Sequence, residues 1–141
     1  MEFYILEFFN FISEQWVLVS IFMALLYLFA INERAKSGKS TSPHVVTRMI
    51  NADEAVLLDV RDTREFNAGH IAGAINIPNS KLSDRIPELE KYRGKALIVA
   101  DKAGQQSGAI GRTLQQQGFS VLRLSGGMME WKNQSLPVVK A

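Results

Sequence analysis

The segment from residue 97 to residue 110, LIVADKAGQQSGAI, has the pattern of a site at which an α/β protein binds an anion or carries a nucleophile. A run of β-branched and aliphatic residues ends at Asp101, a short loop containing Gly104 follows, and a helix-compatible stretch begins at Ser107. A strand, a tight loop and a helix in this order direct backbone N–H groups towards the loop. The residue at the end of the strand is nevertheless an aspartate, and no cysteine or serine nucleophile stands there.

The chain of 141 residues contains no cysteine, which excludes disulfides, thiolate-bound metals and thiol catalysis. Its two histidines, His44 and His70, give little support for a metal site, so we expect neither a metal nor a cofactor. An aspartate nucleophile for phosphoryl transfer would need a second carboxylate and a divalent metal. Asp59 and Asp62 are the candidates for that carboxylate, but nothing in their spacing favours a metal pair.

Short apolar runs alternate with helical patterns in the carboxy-terminal two thirds of the chain. Unbroken apolar runs of strand length are typical of strands that are buried on both faces of a sheet. The predicted strands are residues 55–60, 74–78, 96–100 and 120–124, and the predicted helices are residues 47–50, 82–89, 107–117 and 128–132. This alternation predicts an α/β fold in which helices cover both faces of a central parallel sheet.

An uncharged apolar run, WVLVSIFMALLYLFAI, extends from Trp16 to Ile31. As a helix it is roughly 24 Å long, close to the roughly 30 Å hydrocarbon core of a bilayer. The basic residues that follow it predict that the carboxy-terminal domain is cytoplasmic and the amino terminus faces outward. The predicted organisation is a short amino-terminal segment (1–15), a single transmembrane helix (16–32), a polar linker (33–43) and the α/β domain (44–141).

The amino-terminal segment has one polar stripe, because Glu7, Asn10 and Glu14 follow an i, i+3, i+7 spacing among aromatic and aliphatic residues. A helix of this kind lies in the headgroup region or packs on a membrane partner, and a loosely ordered tail beside the bilayer is equally consistent with the pattern. Residues 32–141 hold all 16 basic and 11 of the 14 acidic residues, without a dense basic cluster. We therefore expect no nucleic-acid partner.

Two longer motifs resemble the signatures of the rhodanese (sulfurtransferase homology) domain. LLDVRDTREFNAGHIAGAINIP resembles the amino-terminal signature, and SGGMMEWKNQSLPV resembles the carboxy-terminal one. The resemblance covers about residues 43–139 and implies a three-layer rhodanese-like fold with a central parallel sheet. The overall plan is similar to that of the membrane-anchored rhodanese-like proteins of Gram-negative bacteria, which implies a place in a bacterial inner membrane.

The motif residues outside the loop have structural interpretations. We expect Asp59 to accept hydrogen bonds from loop N–H groups or from His70, and Arg61 to pair with Glu65. The glycines are expected to permit tight backbone geometry, and Trp131 to anchor the last helix to the core. The full set is Asp59, Arg61, Glu65, His70, Gly73, Gly126, Gly127 and Trp131.

The resemblance also implies a role for the loop that follows the third predicted strand. In active members this loop begins with a cysteine whose persulfide is cradled by backbone N–H groups, and Asp101 occupies that position here. Gly104 and Ser107 match the glycine and serine that are usual in the loop of this family. Gln106 stands where the family has a basic residue just before that serine, and Lys102 provides one basic residue in the loop. The related dual-specificity phosphatases also require a cysteine. The predicted anion loop is Asp101, Lys102, Ala103, Gly104, Gln105, Gln106 and Ser107.

Sulfur transfer requires a soft thiolate, and a carboxylate cannot form a stable persulfide. The sequence therefore predicts no catalytic residue, with the Asp101 carboxylate accepting the loop N–H groups and excluding small anions such as thiosulfate. We expect a non-catalytic module that binds a membrane or cytoplasmic protein partner at the inner face of the membrane. The alternative is an accessory to sulfur transfer whose loop binds an anion or a partner's persulfide.

Overall fold

Five parallel strands form one sheet in the part of the chain that the structure describes, a computed structural model of residues 1–36 and 38–141. The strands are β1 (Lys39–Thr41), β2 (Ala55–Asp59), β3 (Ile75–Asn76), β4 (Ala96–Ala100) and β5 (Val121–Leu124). Their order across the sheet is β1-β5-β4-β2-β3, and every pairing is parallel. The carboxyl ends of β2 and β4, at Asp59 and Ala100, therefore lie side by side.

Helices precede and connect the strands. The α-helices are α1 (Glu2–Glu14), α2 (Trp16–Lys36), α3 (Pro43–Asn51), α4 (Thr63–Ala68), α5 (Leu82–Arg85), α6 (Ser107–Gln116) and α7 (Gly127–Asn133). Two 3₁₀ segments, Asn79–Lys81 and Ile86–Tyr92, flank α5. Pro87 stands at the start of the second 3₁₀ segment, where its missing N–H and fixed φ interrupt a continuous α-helix.

The sheet separates two apolar clusters because successive residues of a strand point to opposite faces. Leu97 and Val99 of β4 belong to one cluster, together with residues of α5 and α6. Ile98 and Ala100 belong to the other, which includes residues of α3 and α7. The apolar run of β4 is thus buried on both faces, as the sequence predicts, and the predicted α/β fold with a central parallel sheet is confirmed.

The fifth strand, β1, lies within the stretch for which the sequence predicts a polar linker, residues 33–43. Lys39, Ser40 and Thr41 pair with β5, and the side chain of Arg123 donates from Nε to the carbonyl oxygen of Gly38 at 3.0 Å. The linker prediction is wrong for these residues because backbone pairing with β5, not an apolar pattern, makes them a strand. Ser37, also in the predicted linker, lies outside the described residues.

The amino-terminal helices form a unit of their own, residues 1–34. Within α2, the 18 residues Trp16–Glu33 have a mean hydropathy of 1.9 and none of them is buried. This helix is long and apolar enough to cross a membrane. The helix continues to Lys36, beyond the predicted end of the span at residue 32.

Candidate functional site

The Asp101 carboxylate lies inside the loop that connects β4 to α6. Its Oδ1 accepts the N–H of Gly104 at 2.6 Å, and its Oδ2 accepts those of Gln106 at 2.7 Å and Ser107 at 3.0 Å. Asp101 is 2% exposed, although it carries a charge. A buried charge is tolerated when hydrogen bonds replace its hydration, and here one backbone donor in the loop and two at the start of α6 do so.

The loop is also fixed from the side of α7. The N–H of Met128 donates to the carbonyl oxygen of Asp101 at 2.8 Å, and that of Met129 donates to the carbonyl of Lys102 at 2.9 Å. Gly127 has a φ of +62°, and a Cβ at this position would lie 2.6 Å from the Asp101 carbonyl oxygen. The double glycine that the sequence singles out therefore lets the start of α7 approach the loop closely.

Asp59 and Arg61 form a buried pair next to this loop. The guanidinium donates from Nη2 to Asp59 Oδ2 at 2.8 Å and to the carbonyl oxygen of Gly69 at 2.8 Å, and Asp59 Oδ1 also accepts the backbone N–H of Arg61 at 3.0 Å. The predicted Arg61–Glu65 pair is therefore wrong. Arg61 follows the strand directly, so its side chain folds back to the residue two positions earlier, which is fully buried and needs a counterion.

Of the two kinds of donor expected for Asp59, the structure shows a loop N–H, that of Arg61, whereas His70 packs away from Asp59. Its ring stacks on Phe66 with centroids 3.8 Å apart, and its Nδ1 lies 2.8 Å from the Phe66 carbonyl oxygen. Its backbone forms an antiparallel bridge with Val139. His70 thus orients the turn that follows α4 and ties it to the end of the chain.

Asn76 is a site residue that the sequence analysis missed. Its Nδ2 donates to the carbonyl oxygens of Asp59 at 3.1 Å and Arg61 at 2.9 Å, so it fixes the backbone that leaves β2. A polar residue in the short apolar segment AINIP is the one signal that marks it. Trp131 is 3% exposed and packs in the core cluster beneath α7, with its Nε1 donating to the Pro137 carbonyl oxygen at 3.0 Å.

A cavity of about 350 Å³ opens in front of Asp101, between the loop and the turn from β2 to α4. Its walls include Arg61, Glu65, Lys102 and Gln105. Asn79 and Ser80, which no motif marked, complete its rim. The N–H groups of Gly104, Gln106 and Ser107 and the Arg61 guanidinium already have partners within the chain, so these donors are not free to bind an anion in the cavity.

The arrangement has consequences for chemistry. Within residues 1–36 and 38–141, no group of three histidine or carboxylate side chains is close enough to hold a metal ion. Asp59, one of the two candidates for a second carboxylate, is paired with Arg61. The geometry therefore gives no support to metal-assisted phosphoryl transfer by Asp101.

Comparisons with known proteins agree with one another. The family model described as "Rhodanese-like domain" matches residues 42–134. Protein YibN of Escherichia coli K12 is 38% identical over 96 residues, which are 67% of each chain. Thiosulfate sulfurtransferase GlpE of Shewanella oneidensis is 34% identical over 96 residues, 67% of this chain and 93% of that one. The crystal structure of a rhodanese-related protein from Thermoplasma volcanium superposes with a TM-score of 0.66 at 33% identity, covering 72% of this chain and 97% of that chain.

Proposed function

The chain belongs to the rhodanese-like domain family, and from this membership we propose that it is a non-catalytic member that binds a protein partner at a membrane surface. The observation that carries the proposal is the position of the Asp101 carboxylate. It occupies the centre of the loop and accepts three of its N–H groups, in a chain without any cysteine. A thiolate is the group that attacks sulfane sulfur and holds it covalently, so sulfur transfer has no nucleophile here.

The cavity in front of Asp101 is the proposed contact for the partner. Lys102, Gln105 and Gln106 line it and are exposed, so they are accessible to another protein. The loop beneath them is held by hydrogen bonds to Asp101 and to α7, which makes it a pre-organised surface. A pre-organised surface loses little conformational entropy on binding, which favours recognition.

The proposed place of action is the cytoplasmic face of a bacterial inner membrane, with α2 as a single-pass anchor. Its length and hydropathy support the anchor. Arg34, Lys36 and Lys39 follow the apolar run and no basic residue precedes it, which favours a cytoplasmic domain and an amino terminus outside. A reporter enzyme fused after Ala141 tests the orientation: we expect cytoplasmic behaviour, and periplasmic activity would overturn it.

The absence of catalysis is tested with thiosulfate and cyanide as substrates. The unmodified chain and Asp101→Cys are assayed side by side, with Asp62→Cys as a control that places a thiol on the cavity wall outside the loop amides. We expect no turnover by the unmodified chain. Turnover that requires Cys at position 101 would show that the scaffold persists without its nucleophile, whereas turnover by the unmodified chain refutes the proposal.

The open cavity favours a second candidate, an accessory role in which the site binds an anion or a partner's persulfide. Thermal unfolding with added thiosulfate separates the two. In Asp101→Ala the three amides have lost their acceptor, so thiosulfate at 100 times its Kd should stabilise this variant by about 2.7 kcal/mol. We expect no shift for the unmodified chain, and a comparable shift there would favour the accessory role.

Partner binding is tested by photo-crosslinking in membranes. A photoreactive amino acid replaces Gln105 at the cavity, and the matched control replaces Gln116, which is exposed at the end of α6. We expect a protein adduct from position 105 that is absent from position 116 and from an anchor consisting of residues 1–36. Recovery of the same adducts from all three would contradict binding at the cavity.

A further inference from the structure

We propose that α1 lies along the membrane–water interface on the non-cytoplasmic side of the bilayer that α2 crosses, with its aromatic face on the lipid and its acidic stripe towards water. The inference rests on the proposed membrane anchoring by α2. The two helices follow each other without a long connection, because α1 ends at Glu14 and α2 begins at Trp16. Both belong to the unit formed by residues 1–34.

The lengths of the helices leave no room for α1 inside the hydrocarbon core. The 18-residue window Trp16–Glu33 of α2 rises about 27 Å, which nearly fills a core of about 30 Å. The 13 residues of α1 add about 20 Å. If α2 spans the membrane, α1 therefore begins where the core ends.

The acidic residues of α1 also exclude it from the core. Glu7 and Glu14 share one stripe with Asn10, and each charged carboxylate at the centre of a bilayer costs about 2.5–3.5 kcal/mol on insertion scales. Residues 1–33 contain no lysine or arginine that could neutralise these carboxylates. These carboxylates keep their hydration if they face water.

The opposite side of α1 suits lipid. Ile5, Phe8 and Phe9 lie by their spacing on the side of the helix away from Glu7, Asn10 and Glu14, and they are 49%, 60% and 63% exposed. None of the residues of α1 is buried within the described chain, so this aromatic face has no cover there. Aromatic side chains concentrate at the headgroup level of membranes, and Trp16 extends the same belt to the start of α2.

The test uses the full chain in lipid nanodiscs of phosphatidylcholine and phosphatidylglycerol. Because the chain has no cysteine, single cysteine variants carry a nitroxide label without background. Labels at Ile5 and Phe8 probe the aromatic side, and labels at Glu7 and Asn10 probe the acidic stripe. A label at Ala24 in α2 reports insertion of the span. Accessibility to oxygen, which enters lipid, is compared with accessibility to a water-soluble nickel complex.

The expected result is a high oxygen-to-nickel ratio at Ile5 and Phe8, a low ratio at Glu7 and Asn10, and a deep position for Ala24. The ratio along α1 should follow a period of about 3.6 residues. Phe8→Ser should lower the ratio at Ile5, whereas Phe3→Ser, the same change on the other side of α1, should leave it unchanged.

Three results would overturn the inference. A deep label at Ala24 with uniform nickel access along α1 would leave the anchor standing and place α1 in water. An immobilised label at Phe8 that neither reagent reaches would place a second protein chain on the aromatic face. Nickel access at Ala24 would refute the anchor itself, and the inference would fail with it.

Discussion

Replacing Asp101 with asparagine removes the charge of the buried carboxylate while keeping the size and shape of the side chain. The carboxylate accepts three N–H groups with two oxygens. Asparagine has one oxygen, and its NH₂ group would face at least one backbone N–H of the loop. That donor would be left buried without an acceptor, and the remaining bonds would lose their charge assistance.

The expected cost follows from these contacts. A hydrogen bond to a charged group contributes about 1.5–3 kcal/mol, and a buried unsatisfied donor costs about 1–3 kcal/mol. We expect Asp101→Asn to lower the free energy of unfolding by about 3 kcal/mol. Residues 38–141 contain both core clusters, so unfolding of this domain in urea measures the change. With a slope of about 2 kcal/mol per M, the midpoint should fall by about 1.5 M.

Asp62→Asn is the matched control for this experiment. Asp62 lines the same cavity, is exposed, and makes no side-chain cap hydrogen bond at the start of α4. Its replacement should change the free energy of unfolding by no more than about 0.5 kcal/mol. If Asp101→Asn were as stable as the unmodified domain, hydrogen bonds to the Asp101 carboxylate would not be what stabilises the loop, and this explanation would be refuted.

Further predictions concern the surroundings of the loop and the surface. Gly127→Ala should destabilise the domain by about 2 kcal/mol more than Gly73→Ala. The reason is that a Cβ at position 127 would clash with the loop backbone, whereas a Cβ at position 73 has no atom within 4 Å. Equal urea midpoints of the two variants would contradict this. Arg61→Met leaves the fully buried Asp59 without its counterion and should cost about 3–5 kcal/mol in the same assay, and a loss below about 1 kcal/mol would exclude a structural role for the pair. Arg93 lowers the pKa of the Glu90 carboxyl through a hydrogen bond. The pair is therefore present at neutral pH and is lost as the pH falls through the lowered pKa. An NMR titration of Glu90 should give a midpoint below the ordinary glutamate range.

The sequence predicts the sheet well where burial determines the residue pattern. The run that became β4 is apolar throughout, and that of β2 is apolar up to Asp59, because both faces of these strands are covered. No helical periodicity competes with that pattern. The segment KST of β1 has no such pattern. It becomes a strand through pairing with β5, a long-range contact that a local reading of composition does not contain.

The site is predictable to a similar extent. The position of Asp101 against the loop amides follows from the strand–loop–helix order, because those amides have a fixed direction at the start of α6. The partner of Arg61 is Asp59, whose buried charge needs a counterion, and not Glu65, which the sequence analysis expects. The role of Asn76 depends on how β3 lies against β2, which a single polar residue in a short strand does not reveal.

The parallel direction of β1 has a consequence for access to the cavity. The chain enters the domain at Gly38, at the amino end of β1, whereas the Asp101 loop follows the carboxyl end of β4 in the same parallel sheet. Lys39 is level with Leu122 of β5 and with Ile98 of β4, three residues before Asp101, so about 10 Å separates the two along the strand direction. The chain therefore enters the domain towards the amino ends of the strands, whereas the mouth of the cavity lies beyond their carboxyl ends. On the proposed function, a partner bound at the mouth therefore does not displace the segment that leads to the proposed anchor.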